Sequence, residues 1–322
     1  MSTTPDAVTQ VRAAVRAALA DVDVPPLVAV SGGADSLALA SAACHRSVCR
    51  SLPVYAAVVD HGLQPGSADQ AARTSALLEQ LGLRSRVCAV RVDGPGGMEA
   101  AARRARYQAL REARPTEQSP VLLGHTLDDQ AETVLLGLGR GSGARSIAGM
   151  RQWDPPWLRP LLGVRRATTR AACAALDLPV WDDPHNSSPR FTRVRLRGEA
   201  LPLLEDILAG GVAEALARTA AQLREDSEAL DEIAQGLLAA ASRADGAGTE
   251  LDTRSMAAHP ASVRRRVLRC WLTGSGVRDL TDAHLRRADA LISTWRGQGA
   301  VAVPGGVEVA RRGGRLVLDR RG

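Results

Sequence analysis

LVAVSGGADSLALA, residues 27–40, decides how the rest of this chain is read. The apolar run Leu27-Val28-Ala29-Val30 has the length and residue types of a buried strand. It stops at Ser31-Gly32-Gly33, and a helix-compatible run follows with Asp35 and Ser36 at its start. Paired glycines let a backbone turn through φ > 0 and approach a ligand closely. A helix beginning there offers unpaired N–H groups and the positive end of its dipole. Strand, glycine turn and helix N-terminus together form a cradle for an anion such as phosphate. An ordinary strand-to-helix turn capped by Ser or Asp is the other reading of these residues taken alone.

Several nucleotide folds are excluded at once. The loop lacks the GxxxxGK[ST] of a Walker A motif and the GxGxxG of a dinucleotide fold. The chain has no lysine, so all 41 of its basic residues are arginine and no lysyl nucleophile is its own. At 322 residues it has room for one large domain and a smaller one. No apolar run is long enough to span a bilayer, and the N-terminus lacks a signal pattern. The five cysteines, Cys44, Cys49, Cys88, Cys173 and Cys270, are scattered without a CxxC, which fits a reducing cytoplasm rather than a disulfide or metal framework.

Charge is unevenly placed. Residues 261–322 hold 13 Arg against 5 acids, a net of +8, whereas the remainder is net −2. An arginine-rich C-terminal segment suits a phosphate-backbone partner, although cations on solvated faces give the same count. Arg264 and Arg265 are the candidates there.

Strands expected at Leu27–Val30, Val54–Asp60, Arg86–Val92 and Val121–Gly124 alternate with helical patterns near 35–46, 68–82, 98–113 and 128–139. That alternation predicts an α/β fold, a Rossmann-like parallel sheet with helices on both faces, whose ligand lies at the strand C-terminal ends. Ser31-Gly32-Gly33, Asp60-His61-Gly62 and Gly124-His125 close those strands and should meet at one cleft. Residues 1–210 are expected to form this domain, 211–245 a linking helix, and 246–322 a smaller basic α+β domain. The last of these closes with an antiparallel meander in GAVAVPGGVEVARRGGRLVLDR.

Two further stretches carry chemistry. In HTLDDQAETVLLGLGRGSGARSIAGM, residues 125–150, Asp128, Asp129 and Glu132 open a helix, with Asp129 and Glu132 on one face. Acids at a helix N-terminus are also plain dipole partners, an account that covers one acid better than three. Carboxylates beside phosphates suit Mg²⁺, which puts Asp35 and Asp129 forward as ligands. Arg140 follows in a glycine-rich turn. In TRVRLR, residues 192–197, Arg193, Arg195 and Arg197 alternate, either along one face of an extended segment or spread around a helix start. Such cations bind phosphate or offset charge at a reacting centre.

The set Ser31-Gly32-Gly33-Ala34-Asp35-Ser36, Asp60-His61-Gly62-Leu63, EAAARRARY (99–107), GHTLDDQAETVLLGLGRGSG (124–143), RPLL (159–162), Asp183 with Asn186-Ser187, and TRVRLRGEALP (192–202) occurs in order over residues 25–205. It resembles the tRNA(Ile)-lysidine synthetases of the PP-loop ATP pyrophosphatase superfamily. Val194 departs from the asparagine usual in that family. The resemblance implies ATP and Mg²⁺ as cofactors, with Ser31 to Ser36, Asp60, His61, Gly124 and His125 about the nucleotide. It implies catalysis by Asp35, Asp129, Glu132 and Arg195. Lysine or tRNA would be held by Arg103, Arg106, Arg140, Arg193, Arg197, Arg264 and Arg265. The implied reaction adenylates C2 of the wobble cytidine of an isoleucine tRNA with a CAU anticodon and then joins free lysine there. The implied enzyme is cytoplasmic, without membrane, and a homodimer is compatible with the sequence. The rival readings are a thiolating PP-loop tRNA enzyme, a small-molecule adenylating ligase, and a non-catalytic RNA-binding module on a nucleotide fold. Paired catalytic cysteines, which the first would need, are not supplied by the cysteine spacings.

Overall fold

A computed structural model describes residues 6–50, 52–94, 97–141, 143–182, 190–245 and 248–320. Ser142, Asp183, Asn186 and Ser187 of the motifs above lie outside the described residues. The chain divides into two compact units, residues 1–221 and 222–322.

The first unit is built on a six-stranded sheet. In chain order its strands are β1 (Leu27–Val30), β2 (Tyr55–Asp60), β3 (Arg84–Ala89), β4 (Val121–Leu122), β5 (Trp153–Asp154) and β6 (Trp157–Leu158). They lie in the order β3-β2-β1-β4-β6-β5. All pairings are parallel except β5 with β6. β1 sits centrally, Leu27 pairing with Tyr55 on one side and with Val121 on the other. This explains its unbroken apolar run, because a strand flanked on both sides and covered on both faces has no polar face to show.

Helices supply those covers: α1 (Ala7–Ala18), α2 (Ala34–Arg50), α3 (Ser67–Gln80), α4 (Gly97–Glu112), α5 (Leu127–Arg140), the short α6 (Ala144–Ile147) and α7 (Arg166–Ala175). Val11, Val15, Leu37, Leu39, Leu78 and Cys173 pack with Val28, Val30 and Ala56 in one core layer, while Leu110, Val121, Leu123 and Trp157 pack in another. The chain order turns around at β1 and β4, whose C-terminal ends therefore frame the crevice where such sheets take ligands. α8 (Thr192–Arg195), a π-helical turn (Leu196–Ala200) and α9 (Leu201–Ile207) follow, and α10 (Val212–Ala241) runs through the division between the units.

The second unit has an antiparallel sheet in the order β7-β8-β11-β10-β9: β7 (Ser242–Asp245), β8 (Gly248–Asp252), β9 (Val301–Val303), β10 (Val307–Arg312) and β11 (Arg315–Arg320). The helices α11 (Thr253–Ala257), α12 (Ala261–Gly274) and α13 (Asp282–Ser293) lie between β8 and β9 in the chain. Its core joins Leu251, Met256, Leu268, Trp271, Leu291 and Val309. The β7–β8 hairpin and the β5–β6 pair were not expected from the sequence. Among the described residues no helix is long and apolar enough to cross a membrane.

Candidate active site

The loop after β1 is tied together by its own hydroxyls. Ser36 Oγ donates to the Gly33 carbonyl at 2.9 Å and accepts from the Ser31 N–H at 3.2 Å, closing the turn as α2 begins at Ala34. Gly32 has φ +86°, a backbone L side chains avoid, and a Cβ there would stand 3.0 Å from Thr74 Oγ1. Gly124, at the end of β4, lies against the same helix start. A Cβ on it would come within 3.1 Å of the Asp35 carbonyl carbon and oxygen and of the Ser36 nitrogen. The two strand ends thus meet backbone to backbone at the N-terminus of α2.

α5 begins beside them. Thr126 caps it: its Oγ1 accepts from the Asp129 N–H at 3.4 Å, while Asp129 Oδ2 accepts from the Thr126 N–H at 2.8 Å and hydroxyl at 2.9 Å. One carboxylate oxygen of Asp129 is thereby fixed by the cap and the other, Oδ1, is left to face the site.

That oxygen meets Arg166, at the first turn of α7. The Arg166 guanidinium donates through Nη2 to Asp129 Oδ1 at 2.6 Å, through Nε to Asp35 Oδ2 at 3.3 Å, and through Nη1 to Glu132 Oε1 at 3.4 Å. Its own N–H donates to Asp128 Oδ2 at 2.7 Å. Thr169, one turn on, donates its hydroxyl to Asp35 Oδ1. Glu132 is fully buried and is also held by Arg197, Nε to Oε1 at 2.8 Å, and by Arg193, Nη1 to Oε2 at 3.6 Å. Five elements of the first unit therefore converge, with Asp35 from α2, Asp129 and Glu132 from α5, Arg166 from α7, Arg193 from α8 and Arg197 from the π-helical turn.

The electrostatics follow from burial and this pairing. Desolvation pushes the Asp35 carboxyl above the usual range, against the pull of Thr169 and Arg166. Burial works the same way on Asp129, but Arg166 and the Thr126 cap outweigh it and hold that carboxyl below its ordinary value. Burial alone would lower Arg166, and the acids around it raise it instead.

A second group lies at the ends of β2 and β4. Asp60 accepts from the Gly62 N–H at 3.0 Å, fixing the turn that carries His61. His61 Nδ1, His125 Nδ1, Arg106 Nε and Arg159 Nε are buried without a hydrogen-bond partner. Burial and the charge of Arg106 lower the His61 imidazole. Burial pushes His125 down to about 3, with Arg106, Arg159 and Arg103 adding to the shift and Asp129 opposing it. Buried nitrogens left without acceptors are what an anionic or polar ligand would satisfy.

The remaining expected residues are placed differently. Arg103 donates to the Tyr107 hydroxyl at 3.1 Å and stacks 4.7 Å from that ring. Arg140 ends α5, exposed. Arg195 does not join the acids: it is exposed and its Nη2 pairs with Glu199 at 2.9 Å, outside the cluster. Arg264, expected to face tRNA, is instead a buried strut in the second unit. It is bidentate to Asp289 at 2.7 and 2.9 Å and donates to the His259 carbonyl at 2.7 Å. Arg265 Nε donates to the Ala261 carbonyl at 3.0 Å within α12. Arg166 and Thr169 were not singled out from sequence, since Arg165-Arg166 carries no motif in a chain whose every cation is arginine. The one signal was position, shortly after RPLL.

Comparison with known proteins agrees with the geometry. Residues 8–204 match the PP-loop domain family, and residues 251–317 match the TilS substrate binding domain. The chain is 58% identical over 295 residues to the tRNA(Ile)-lysidine synthase of Mycobacterium tuberculosis, covering 91% of this chain and 88% of that one. It is 59% identical over 305 residues to the tRNA(Ile)-lysidine synthase of Rhodococcus erythropolis, covering 92% and 90%. A U34-tRNA thiolase from Methanococcus maripaludis shares the fold, with a TM-score of 0.55 at 18% identity over 68% of this chain and 80% of that one.

Proposed function

This chain belongs to the tRNA(Ile)-lysidine synthase family of ATP-using PP-loop enzymes, and from that premise we propose how its residues divide the work. The reaction joins free lysine to C2 of the wobble cytidine of an isoleucine tRNA with a CAU anticodon, ATP being split to AMP and pyrophosphate. It runs in the cytoplasm, where ATP, lysine and tRNA are together.

The loop from Ser31 to Ser36 takes the phosphates on the α2 N-terminus, the N–H groups and dipole providing positive potential without a lysine. Asp60, His61, Gly124 and His125 flank the nucleoside end. The unpartnered nitrogens of His61, His125, Arg106 and Arg159 support this, because they fit the donor needs of a nucleotide. Asp35 and Asp129 hold Mg²⁺, which neutralises phosphate charge when bound. Two carboxylates suit Mg²⁺, which draws most of its shell from phosphate and water.

Two steps follow. The C2 oxygen of the cytidine attacks the α-phosphorus and pyrophosphate leaves, with Arg197 and Arg193 offsetting the charge that builds there. The ε-amine of lysine then attacks C2, loses a proton, and AMP departs with the former C2 oxygen. Glu132 or Asp129, which share one face of α5, receives the ammonium and its proton. The substrate binding domain match over 251–317 supports tRNA contact by the second unit, with Arg265 and exposed arginines there as the contacts.

The observation that carries this reading is the convergence of Asp35, Asp129 and Glu132 on a single cation beside the glycine loop. ATP–pyrophosphate exchange that requires the CAU transcript tests it. Exchange without RNA, or with a small acid in its place, would point to an adenylating ligase.

A further inference from the structure

The three carboxylates are wrapped around a guanidinium, each on a different nitrogen of Arg166. They do not depend on it equally. Glu132 keeps Arg197 at 2.8 Å and Arg193 at 3.6 Å whatever Arg166 does. Asp35 has the Thr169 hydroxyl beside it, and its cation is Arg166. For Asp129 the next cation is Arg197, at 3.7 Å against 2.6 Å for Arg166. The Asp35–Asp129 pair, the two acids suited to a divalent ion, is therefore the part of the cluster neutralised by Arg166.

Resting on the ATP and Mg²⁺ reading above, we propose that Arg166 is an exchangeable counter-cation: it fills the divalent-ion position in the nucleotide-free protein and yields it only when the nucleotide arrives. A guanidinium and a divalent ion cannot share the same two carboxylates in a half-buried site without strong repulsion. Releasing the acids is costly unless the guanidinium finds other anions. The triphosphate supplies them, and a guanidinium fork matches phosphate oxygens as well as carboxylates. The consequence is an order of binding: the metal enters with ATP, and the acids are never left bare.

Mn²⁺ binding to the full chain, counted by electron paramagnetic resonance of the free ion, tests this without turnover. In the absence of nucleotide, wild type should leave Mn²⁺ largely free, while Arg166→Met should bind it about tenfold more tightly or better. A non-hydrolysable ATP analogue should bring wild type up to the variant. Arg286→Met, which removes an exposed partner of Asp282, should match wild type. Nucleotide-free wild type binding Mn²⁺ as tightly as Arg166→Met, or as tightly as wild type with the analogue, overturns the proposal. Mn²⁺ held by the analogue alone is subtracted, and should Arg166→Met fail to fold by circular dichroism, Arg166→Gln takes its place in the same titration. Lysidine formation by wild type is scored separately. Product together with tight nucleotide-free Mn²⁺ binding defeats the counter-cation alone, whereas absence of product defeats the functional reading.

Discussion

Arg197→Ala and Arg195→Ala should behave as opposites although the residues are two apart. Arg193 and Arg197 reach the same carboxylate, that of Glu132, because the segment is helical and residues four apart share a face. Arg195 points away, to Glu199. Removing Arg197 deletes a 2.8 Å contact to Glu132, whose side chain is 0% exposed, and a 3.7 Å contact to Asp129. Breaking a buried ion pair costs about 3–5 kcal/mol when the survivor is left alone. Here Arg166 and Arg193 remain near Glu132 and Arg197 is itself 38% exposed, so about 1–2 kcal/mol is expected. In a unit of this size that lowers the melting temperature by about 2–8 °C. Turnover should fall far more, by about 10²-fold or greater, if the lost charge is the one proposed to offset the reacting phosphate. The assay is ATP-dependent incorporation of labelled lysine into a CAU transcript, run beside thermal melting. Arg195→Ala should leave both unchanged. Equal damage from the two variants, or full activity in Arg197→Ala, would refute the assignment.

Three more outcomes are expected. Gly124→Ala puts a methyl 3.1 Å from the Asp35 backbone, so it should cost about 1–3 kcal/mol in stability and weaken ATP binding by calorimetry more than tRNA binding. His125, pushed down to about 3 from 6.5, is neutral when folded and charged when unfolded between those values, so its contribution is present above pH 6.5 and lost on acidification toward 3. The melting temperature should fall over that window, and His125→Asn should flatten the fall in part, His61 being lowered in the same direction. Arg264→Met strands Asp289, 11% exposed, and should destabilise the second unit by about 3–5 kcal/mol, with Asp289→Leu in addition restoring much of the loss.

The parallel core was legible because buried strands and amphipathic helices write their periods into sequence. Leu27–Val30 is read to the residue, and the helix expected near 128–139 is Leu127–Arg140. Two-residue strands have no period to read, so Trp153-Asp154 and Trp157-Leu158 pass for a loop around two prolines. The β7–β8 hairpin falls between two helical patterns and is too polar to stand out. Of the site, the loop and the α5 acids carry local motifs. Arg166 and Thr169 come together with Asp35 only through the packing of α7 on α2, more than 130 residues away in the chain. The TRVRLR stretch left two readings open, one extended face or a helix start. Only the helical backbone separates Arg197 from Arg195. Arg264 shows the limit of counting charge: a buried strut and a solvated cation add the same unit to a net of +8.

On the proposed function, the product of the enzyme is a lysine-bearing cytidine. This is tested most directly by mass analysis of nucleosides from a CAU isoleucine tRNA transcript incubated with the enzyme, ATP, Mg²⁺ and lysine. The expected product is a nucleoside equal to cytidine plus lysine less one water, at the wobble position, absent without ATP and absent from a wobble C→U transcript. An unmodified cytidine at that position, with ATP nevertheless consumed to AMP and pyrophosphate, would contradict it.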